Sequence, residues 1–315
     1  MTIASTYADF AAREARGVSP TYERLTRAIS TDPVLVDLLG TVPQPKRQPN
    51  LLLAVVRLLG GPVTDPQAFH DFTLTNWPAI RNGLLTRTTQ TNEPGRCALL
   101  LPILITLPQP LALIEVGASA GLGLFPDRYN YRYNTHRIGD DESAPILDCT
   151  LTGAEPPTTR PEIIWRAGLD LNPLNITDDN DLAWLNALIW PEHQHRRDRL
   201  HQAAAIAAAD PPAIIRGDLV DDLPALAAQA PPHATLVVFH TSVLYQVPPS
   251  HRATFTTLMR SLPAHWISVE SPEVITFDHL PPPPDATLHN VLALDETPLA
   301  WTRSHGQSLT FFPKP

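Results

Sequence analysis

The hydrophobic pattern of the first hundred residues is typical of short helices. An acidic residue directly precedes a proline at three places, Asp32-Pro33, Asp65-Pro66 and Glu93-Pro94. An acidic N-cap followed by proline at the first helical position is a common start of a helix. The apolar stretches that follow end at Gly40 and at Gly60-Gly61, which predict helix ends. Because no alternating strand pattern occurs before residue 110, the sequence predicts an N-terminal helical domain over residues 1–107.

From residue 108 onward, short apolar runs alternate with amphipathic stretches. This alternation is typical of strands joined by helices, so it predicts an α/β domain over 108–315 with a mostly parallel sheet. The predicted strands are 111–116, 163–171, 213–217, 235–240 and 266–270. The predicted helices are 178–189, 191–209, 221–229 and 249–262. Two further runs, 288–294 and 308–312, predict a closing antiparallel hairpin, and the polar segment 129–160 predicts an inserted hairpin.

Composition and charge narrow the possible partners and location. The chain has 23 lysines and arginines against 32 acidic residues, and this net charge of −9 leaves no basic field for nucleic acid. No apolar signal segment opens the chain, and the longest apolar stretch, 99–116, is interrupted by three prolines, so no membrane span is expected. Two cysteines, Cys97 and Cys149, are too few for a disulfide framework. We therefore expect a cytoplasmic protein without a nucleic-acid or membrane partner.

A glycine-rich turn, Glu115-Val116-Gly117-Ala118-Ser119-Ala120-Gly121, follows the first predicted strand and is expected to open a helix. Small residues permit a tight turn and let a ligand approach the backbone at a helix N-terminus. Such a turn occurs in dinucleotide sites, but here Ser119 replaces the middle glycine. The next strand-end acid, Asp170, also lies far beyond the usual interval of about 20 residues. A dinucleotide site is therefore disfavoured.

Residues 117–121 also satisfy the Gly-x-Ser-x-Gly pattern of a nucleophile elbow, with Ser119 as the nucleophile. That fold has strands before the elbow and an oxyanion loop upstream. This sequence predicts helices before the turn and contains no such loop, and Glu115 is an unusual residue for a buried hydrolase strand. A serine hydrolase therefore stays an alternative.

Each predicted strand ends in a polar residue. These residues are Glu115, Asp170, Asp218, His240 and Glu270. Any one of them could be a solvated strand end, but ligands of open α/β sheets bind outside the carboxyl ends of the strands. Together the side chains are expected to outline an acidic crevice, which would repel a pyrophosphate and suit a ligand that carries a sulfonium and an ammonium group. Charge therefore favours S-adenosylmethionine over a dinucleotide.

The turn resembles the first motif of Rossmann-like S-adenosylmethionine-dependent methyltransferases, an acidic residue followed by Gly-x-Gly-x-Gly, with Ser119 in the middle place. The resemblance implies a methyltransferase-type sheet, mostly parallel, in which the closing hairpin corresponds to the antiparallel sixth and seventh strands. The turn residues that it implies as cofactor-binding are Glu115, Gly117, Ala118, Ser119 and Gly121.

The same resemblance implies roles for acids at the next two strand ends. Asp170 would hold the ribose hydroxyls of the cofactor, and Asp218 with Leu219 would face the adenine. The long interval between the turn and Asp170 departs from the methyltransferase pattern. Asp140 or Asp141 therefore remains an alternative acid on the ribose side.

Candidate catalytic residues are His240, a possible general base at a strand end, together with Glu93 and Tyr245. The residues expected on the substrate side are Asn92, Glu93, Arg96, His240 and Glu270. Other roles remain open for three of them. Asn92 and Glu93 could cap the helix that follows, and His240 could be a hydrogen-bonded structural residue.

Aromatic and histidine patterns add little to the candidate site. Tyr129, Tyr131 and Tyr133 could line an acceptor pocket, although alternate aromatic residues on a hairpin more often pack across strands. His193, His195 and His201 share one predicted helix, but spacings of two and six do not stack on one helix face. No metal site is expected.

Over nearly its full length the chain resembles an uncharacterised, mainly actinobacterial family, domain of unknown function 2332. The segments that carry the resemblance are 91–96, 115–122, 168–174, 184–185, 190–192 and 240–244. This resemblance implies no activity. We therefore expect methyl transfer from S-adenosylmethionine to an unidentified small molecule, with a non-catalytic ligand-binding or interaction module and a serine hydrolase as the alternatives.

Overall fold

A computed structural model describes residues 2–313 and separates into two compact units. The first unit comprises the chain up to Thr91 together with Thr177–Asp198, and the second comprises Asn92–Ile176 and the chain from Arg199 onward. This division differs from the predicted boundary at residue 107, because the helix Cys97–Leu104, buried along its whole length, belongs to the second unit.

The first unit is helical. Its helices are α1 (Ile3–Phe10), α2 (Pro20–Ser30), α3 (Pro33–Gly40), α4 (Pro49–Leu58), α5 (Pro66–Thr75) and α6 (Trp77–Thr86). The predicted acidic caps are confirmed: Asp32 accepts hydrogen bonds from the first turn of α3, and Asp65 accepts from Ala68 N in α5. Satisfying these amides stabilises a helix start by about 1 kcal/mol.

A distant segment of the chain completes the first unit. It contains the helix Asp179–Leu188 and the residues that follow. Arg57 Nη1 donates to the carbonyl of Ala187 at 2.9 Å, and the Trp190 ring packs against Phe10 and Tyr22 with centroid distances of 5.6 Å. Since these contacts join residues far apart in sequence, local hydrophobic patterns did not reveal them.

The second unit contains an 11-stranded mixed sheet that is mostly parallel. Its strands are β1 (Leu111–Val116), β2 (Asn130–Tyr133), β3 (His136–Ile138), β4 (Ile146–Thr152), β5 (Ile163–Asp170), β6 (Ala213–Arg216), β7 (Thr235–Thr241), β8 (His265–Glu270), β9 (Asn290–Leu294), β10 (Thr297–Thr302) and β11 (Ser308–Phe311). Their order is β3-β2-β4-β11-β10-β9-β8-β7-β1-β5-β6. Five neighbours, β8-β7-β1-β5-β6, are parallel, and their order along the chain is 5-4-1-2-3. The predicted mixed α/β fold class is confirmed at this level.

Helices of the second unit cover the parallel strands. In chain order after α6, the remaining helices are α7 (Cys97–Leu104), α8 (Asp179–Leu188, of the first unit), α9 (Gln194–Ala209, which begins in the first unit), α10 (Leu223–Ala227) and α11 (Pro249–Ser261). Ile114 and Val116 of β1 belong to a buried apolar cluster with Phe255 and Met259 of α11. Burial of such a side chain contributes about 1.5–3 kcal/mol.

Two predicted hairpins have a different structure. The closing element contains three consecutive antiparallel strands, β9, β10 and β11, rather than two. Pro298 obscured β10 in the sequence, because proline is unusual in strands, and the register shifts between Pro298 and Ala300. The segment 129–160 is also more than an inserted hairpin, since its strand β4 pairs in parallel with both β2 and β11 and so extends the main sheet.

The turn after β1 does not open an α-helix, contrary to the expectation. A single 3-10 turn, Leu122–Leu124, follows it, and the chain then continues into β2. The Tyr129 hydroxyl donates to the carbonyl of Leu122 at 2.7 Å, in place of the amide that a continuing helix would supply. Pro126, two residues beyond the turn, cannot donate such a bond. The positive end of a helix dipole is therefore absent at this position.

Candidate functional site

The glycine turn lies between the loops that follow β5 and β7. Its backbone is left-handed at Gly117, Ser119 and Gly121, with φ values of 74°, 52° and 75°. Gly117 N donates to the carbonyl of Leu169 in β5 at 2.7 Å. A Cβ atom on Gly117 would lie 2.5 Å from Val243 Cγ2, beyond the end of β7. Both the conformation and the close approach thus require glycine at position 117.

The amides of this turn already have protein acceptors. Ser119 N donates to Asp170 Oδ2 at 2.7 Å, Gly121 N to the carbonyl of Ala118 at 2.7 Å, and Leu122 N to Asn92 Oδ1 at 3.0 Å. A phosphate-binding turn needs amides that point at the ligand. The geometry is therefore unlike a pyrophosphate cradle, and it gives the dinucleotide hypothesis no support.

Asp170 is the strand-end acid that lies against the turn. Its Oδ2 accepts from Ser119 N and its Oδ1 accepts from Asn172 N, both at 2.7 Å. A carboxylate has about four acceptor positions, so the half-buried Asp170 keeps capacity for two further donors such as the hydroxyls of a diol. Asp140 and Asp141 are exposed in the loop between β3 and β4, at the opposite end of the strand order. The structure therefore brings Asp170 to the turn, and not the alternative pair.

Asp218 follows β6 and pairs with a histidine that the sequence did not single out. Its Oδ1 accepts from Val220 N at 2.7 Å and lies 2.9 Å from His251 Nε2 of α11. Partial burial opposes ionisation, but these hydrogen bonds outweigh it and lower the pKa of Asp218. The neighbouring Leu219 side chain lies in the buried apolar cluster. Asp218 thus remains a partly exposed, ionised acid at the edge, whereas the Leu219 side chain does not line it.

His240 is fully buried, and both of its ring nitrogens have partners. Nε2 accepts from the indole N–H of Trp266 at 3.0 Å, and Nδ1 lies 2.8 Å from Glu270 Oε1. The same carboxylate oxygen accepts from the amides of Val243 and Leu244, at 2.7 and 3.0 Å. Neither His240 nor Glu270 therefore faces a substrate, and this geometry corrects the expectation of a general base and a substrate-side acid at the ends of β7 and β8.

The segment 92–96 contacts several loops at the carboxyl edge of the sheet. Asn92 Nδ2 donates to the carbonyl of Ala118 at 2.7 Å, so that its amide group spans the glycine turn. Arg96 Nη1 donates to the carbonyl of Thr241 at 2.7 Å, and its Nε donates to the carbonyl of Ser304 at 2.9 Å. These two side chains hold the walls of the candidate site in place.

Glu93 caps the turn that follows it. Its Oε1 accepts from Gly95 N at 3.0 Å, at the start of the 3-10 turn Pro94–Arg96 that leads into α7. The same oxygen lies 3.0 Å from Arg199 Nε, and both side chains are largely buried. Glu93 thus forms a structural ion pair with Arg199.

Glu115 and Ser119 each contain a buried polar atom without a hydrogen-bond partner among residues 2–313. These atoms are Glu115 Oε2 and Ser119 Oγ, in residues that are 7% and 2% exposed. Burial raises the pKa of the Glu115 carboxyl to about 8, although Arg96 opposes the shift and Asp170 adds to it. Ser119 has the left-handed backbone of a nucleophile, but no imidazole in the described chain contacts its hydroxyl. The hydrolase alternative therefore lacks a base.

Tyr245 is exposed at this edge, and the other candidate tyrosines are not. Its side chain is 60% exposed, and partial burial raises the pKa of its phenol, an effect that the charge of Arg96 reduces. Tyr129, Tyr131 and Tyr133 are buried, and each hydroxyl donates to a backbone carbonyl at 2.6–2.7 Å. Since these three hydroxyls stabilise the loop after the turn and α7, they do not line an acceptor pocket.

The expected acidic crevice is largely neutralised by protein contacts. Glu270 is bound to His240 and to two amides, Asp218 is paired with His251, and Asp170 accepts from two amides. Burial raises the pKa of Glu115 to about 8, so that this carboxyl is mainly protonated at neutral pH. The field at this edge is thus weaker than four free carboxylates would produce.

Sequence reasoning missed His251 and Arg199, which pair with Asp218 and Glu93. It also missed the carbonyl groups of Thr241 and Ser304, which accept hydrogen bonds from Arg96. The carbonyls of Thr241 and Ser304 leave no signal in a sequence. His251 lies in the first turn of the predicted helix 249–262, where a histidine beside strand-end acids could have suggested a pair.

Comparisons with known proteins place the chain in a family without assigning a reaction. The model of a family described as "Uncharacterized protein conserved in bacteria (DUF2332)" matches residues 4–311. No curated protein and no solved structure matches the chain. Within the described residues, no helix has both the length and the apolar character needed to cross a membrane, and no three His, Cys, Asp or Glu side chains could together hold a metal ion. Because the family model covers nearly the whole chain, the protein belongs to the DUF2332 family.

Proposed function

We propose that this protein binds S-adenosylmethionine at the carboxyl edge of its parallel strands and transfers a methyl group to a small molecule. The observation that carries the proposal is the contact between Ser119 N in the turn after β1 and the Asp170 carboxylate at the end of β5. The parallel strands have the order 3-2-1-4-5, as in doubly wound sheets, where ligands bind at the point at which the strand order reverses. Here that point lies between β1 and β7.

The residues at this edge fit such a cofactor. Asp170 is held by two amides and retains acceptor positions for ribose hydroxyls. Asp218 is ionised and partly exposed, and can accept from an exocyclic amino group. The unpartnered oxygens of Glu115 and Ser119 are acceptors that this chain does not itself satisfy. When bound, S-adenosylmethionine supplies an electrophilic methyl group on a sulfonium centre.

The chain contributes mainly alignment to the transfer. Arg96 and Asn92 fix the loops at the site, so that an acceptor and the methyl donor could be held in a defined geometry. Of the three candidate catalytic side chains, His240 and Glu93 are buried in structural contacts, and Tyr245 is exposed. Tyr245 is therefore the side chain that we propose to contact the acceptor or its proton.

Calorimetric titration with S-adenosylmethionine and S-adenosylhomocysteine tests this proposal. We expect micromolar binding that Asp170→Asn weakens by about tenfold or more, because one carboxylate acceptor becomes an amide donor. Gly117→Ala should also weaken binding, since its Cβ would force Val243 aside. Asp148→Asn, an exposed position on β4, is the matched control and should bind as the wild type does. Absence of binding to the folded wild type would refute the proposal.

A non-catalytic ligand-binding module is a second candidate. The burial of His240 and Glu93 favours it, because two of the three candidate bases have no access to a substrate. Incubation with methyl-labelled S-adenosylmethionine and a small-metabolite extract separates the two. Transfer of label that Tyr245→Phe reduces supports the enzyme, whereas tight binding without any transfer supports the module.

A further inference from the structure

Four consecutive prolines occupy residues 281–284, in the connection between β8 and β9. This connection, residues 271–289, contains no helix or strand. Proline fixes its own φ at about −65° and keeps the residue before it extended. Because Leu280 and the first three prolines each precede a proline, these restrictions hold the run in the polyproline II conformation.

Most of the run lies on the protein surface. Pro282, Pro283 and Pro284 are exposed, and their carbonyl oxygens accept no hydrogen bond within residues 2–313. Since proline has no N–H group, this stretch presents ring surfaces and carbonyl acceptors alone. Leu288, in the segment that follows, is 94% exposed and adds a further apolar side chain.

The two ends of the run are fixed at the end of β10. The indole N–H of Trp301 donates to the carbonyl of Pro281 at 3.1 Å. Beyond the run, Asp285 Oδ1 accepts from Thr287 N at 2.7 Å, and Arg303 Nη1 donates to the Thr287 hydroxyl. The folded protein therefore holds the exposed prolines in one conformation before any partner binds, which lowers the entropic cost of binding.

The chemistry of the run specifies what can cover it. Polyproline II segments dock in grooves lined by aromatic side chains, whose hydroxyl or indole groups can donate to the proline carbonyls. A second copy of this chain offers no such groove, because Tyr245 is the only exposed aromatic side chain among residues 2–313. The occupant that fits is therefore a different protein.

Charge gives this occupant one further feature. Asp278 is exposed three residues before the run and has no ion-pair partner among the described residues, in a chain of net charge −9. Asp285, on the other side of the run, lies 4.0 Å from Arg303 Nη1. A basic side chain at the end of the groove that meets Asp278 therefore complements the segment.

We propose that residues 281–284 form a docking segment for another protein, one with an aromatic-lined polyproline-binding groove and a basic side chain that faces Asp278. The segment follows the carboxyl end of β8, which is parallel to β7, so the bound partner lies at the same edge of the sheet as the candidate site. Docking does not require S-adenosylmethionine, so failure of the proposed function leaves this inference standing.

Calorimetric titration with a purified WW domain that accepts uninterrupted prolines tests the proposal, because its groove is of the required kind. We expect the whole protein to bind about tenfold more tightly than a synthetic peptide of residues 278–288, since the fold has already ordered the run. Replacing Pro282 and Pro283 together by alanine should weaken binding by about tenfold or more. Pro211→Ala, an exposed proline outside the segment, is the matched control and should bind as the wild type does.

Two further variants keep the four prolines intact. Asp278→Asn should weaken binding to a WW domain with a basic rim about threefold at low salt, and this difference should vanish at high salt. Trp301→Phe removes the N–H that anchors Pro281, so its affinity should fall toward that of the free peptide. Thermal denaturation shows whether each variant is folded.

Three results would overturn the proposal. Binding of the peptide without binding of the whole protein would show that the fold does not present the run. Equal binding by the wild type and the double alanine variant, or no binding by either the protein or the peptide, would show that the prolines are not a ligand. A wild-type dimer that the double alanine variant cannot form, detected by analytical ultracentrifugation, would identify a second copy as the occupant.

Discussion

His240 Nδ1 lies 2.8 Å from Glu270 Oε1 in a pair that is almost completely buried. Because the indole N–H of Trp266 can only donate, and it donates to Nε2, the proton of the imidazole resides on Nδ1 and points at Glu270. The same oxygen accepts from Val243 N and Leu244 N. One carboxylate thus fixes both the histidine and the loop that closes over the glycine turn.

Glu270→Ala should lower the free energy of unfolding by about 3–5 kcal/mol, because it leaves the imidazole N–H and two amides buried without an acceptor. Urea denaturation measures the loss. Glu273→Ala removes an exposed carboxylate three residues away and should change stability by less than about 0.5 kcal/mol. Similar losses in the two variants would contradict a structural role for Glu270.

Much of the parallel sheet could be predicted from sequence because each strand is a short apolar run. β1 has the predicted bounds, and β5, β7 and β8 differ from theirs by a single residue at one end. β10 could not be recognised, since Pro298 removes a ladder donor and the strand tolerates it only with a register shift. The assignment of residues 177–198 to the first unit rests on long-range contacts such as Arg57 with Ala187, which no local pattern contains.

The candidate site was predictable as a list of strand-end residues but not as a set of contacts. Asp170 lies against the turn, as the sequence suggested. His240 ends a strand equally well, yet its ring points into the core because Trp266 and Glu270 lie on the adjacent strand β8. Whether a strand-end side chain faces solvent or core depends on its partners on neighbouring strands, and those depend on the register.

Asn92→Ala should remove both hydrogen bonds that span the glycine turn and lower the free energy of unfolding by about 2–3 kcal/mol. Asn92→Asp keeps the acceptor for Leu122 N but loses the donor to the carbonyl of Ala118, so it should lose about half as much at neutral pH. Chemical denaturation of both variants measures the effect. An equal loss in the two variants would show that the acceptor for Leu122 N contributes nothing.

Gly306→Ala should destabilise the protein far more than Gly60→Ala. Both glycines have left-handed backbone conformations, with φ values of 85° and 76°. A left-handed conformation is unfavourable for alanine by about 1–2 kcal/mol, and this conformational term is the same at both positions. A Cβ on Gly306 would lie 1.9 Å from the carbonyl oxygen of Gly95, whereas nothing lies within 4 Å of one on Gly60. Thermal denaturation should show a shift at least twice as large for Gly306→Ala. Equal shifts would mean that the turn after β10 can move away from Gly95 at no cost.

Tyr129→Phe should cost about 1–2 kcal/mol, because the Leu122 carbonyl loses the hydroxyl that donates to it in a buried environment. Tyr245→Phe is the matched control, since its side chain is 60% exposed. It should leave stability within about 0.5 kcal/mol of the wild type. Urea denaturation of the two variants provides the comparison, and a larger loss for Tyr245→Phe would contradict the assigned contacts.

Glu115 should make stability depend on pH in a direction opposite to that of most carboxylates. Burial raises its pKa from the ordinary 4.5 to about 8, so between these values the folded protein binds one proton that the unfolded chain does not. The stabilisation from this protonation is complete below pH 4.5 and is lost as the pH rises through about 8, by up to about 1.4 kcal/mol per pH unit. The side chain in Glu115→Gln cannot titrate, so this variant lacks the loss of stability with rising pH that Glu115 causes in the wild type. Measured by urea denaturation, the free energy of unfolding of the variant relative to that of the wild type should therefore increase steadily between about pH 5 and pH 8. A constant difference between the two proteins across this range would show that Glu115 ionises normally in the folded state.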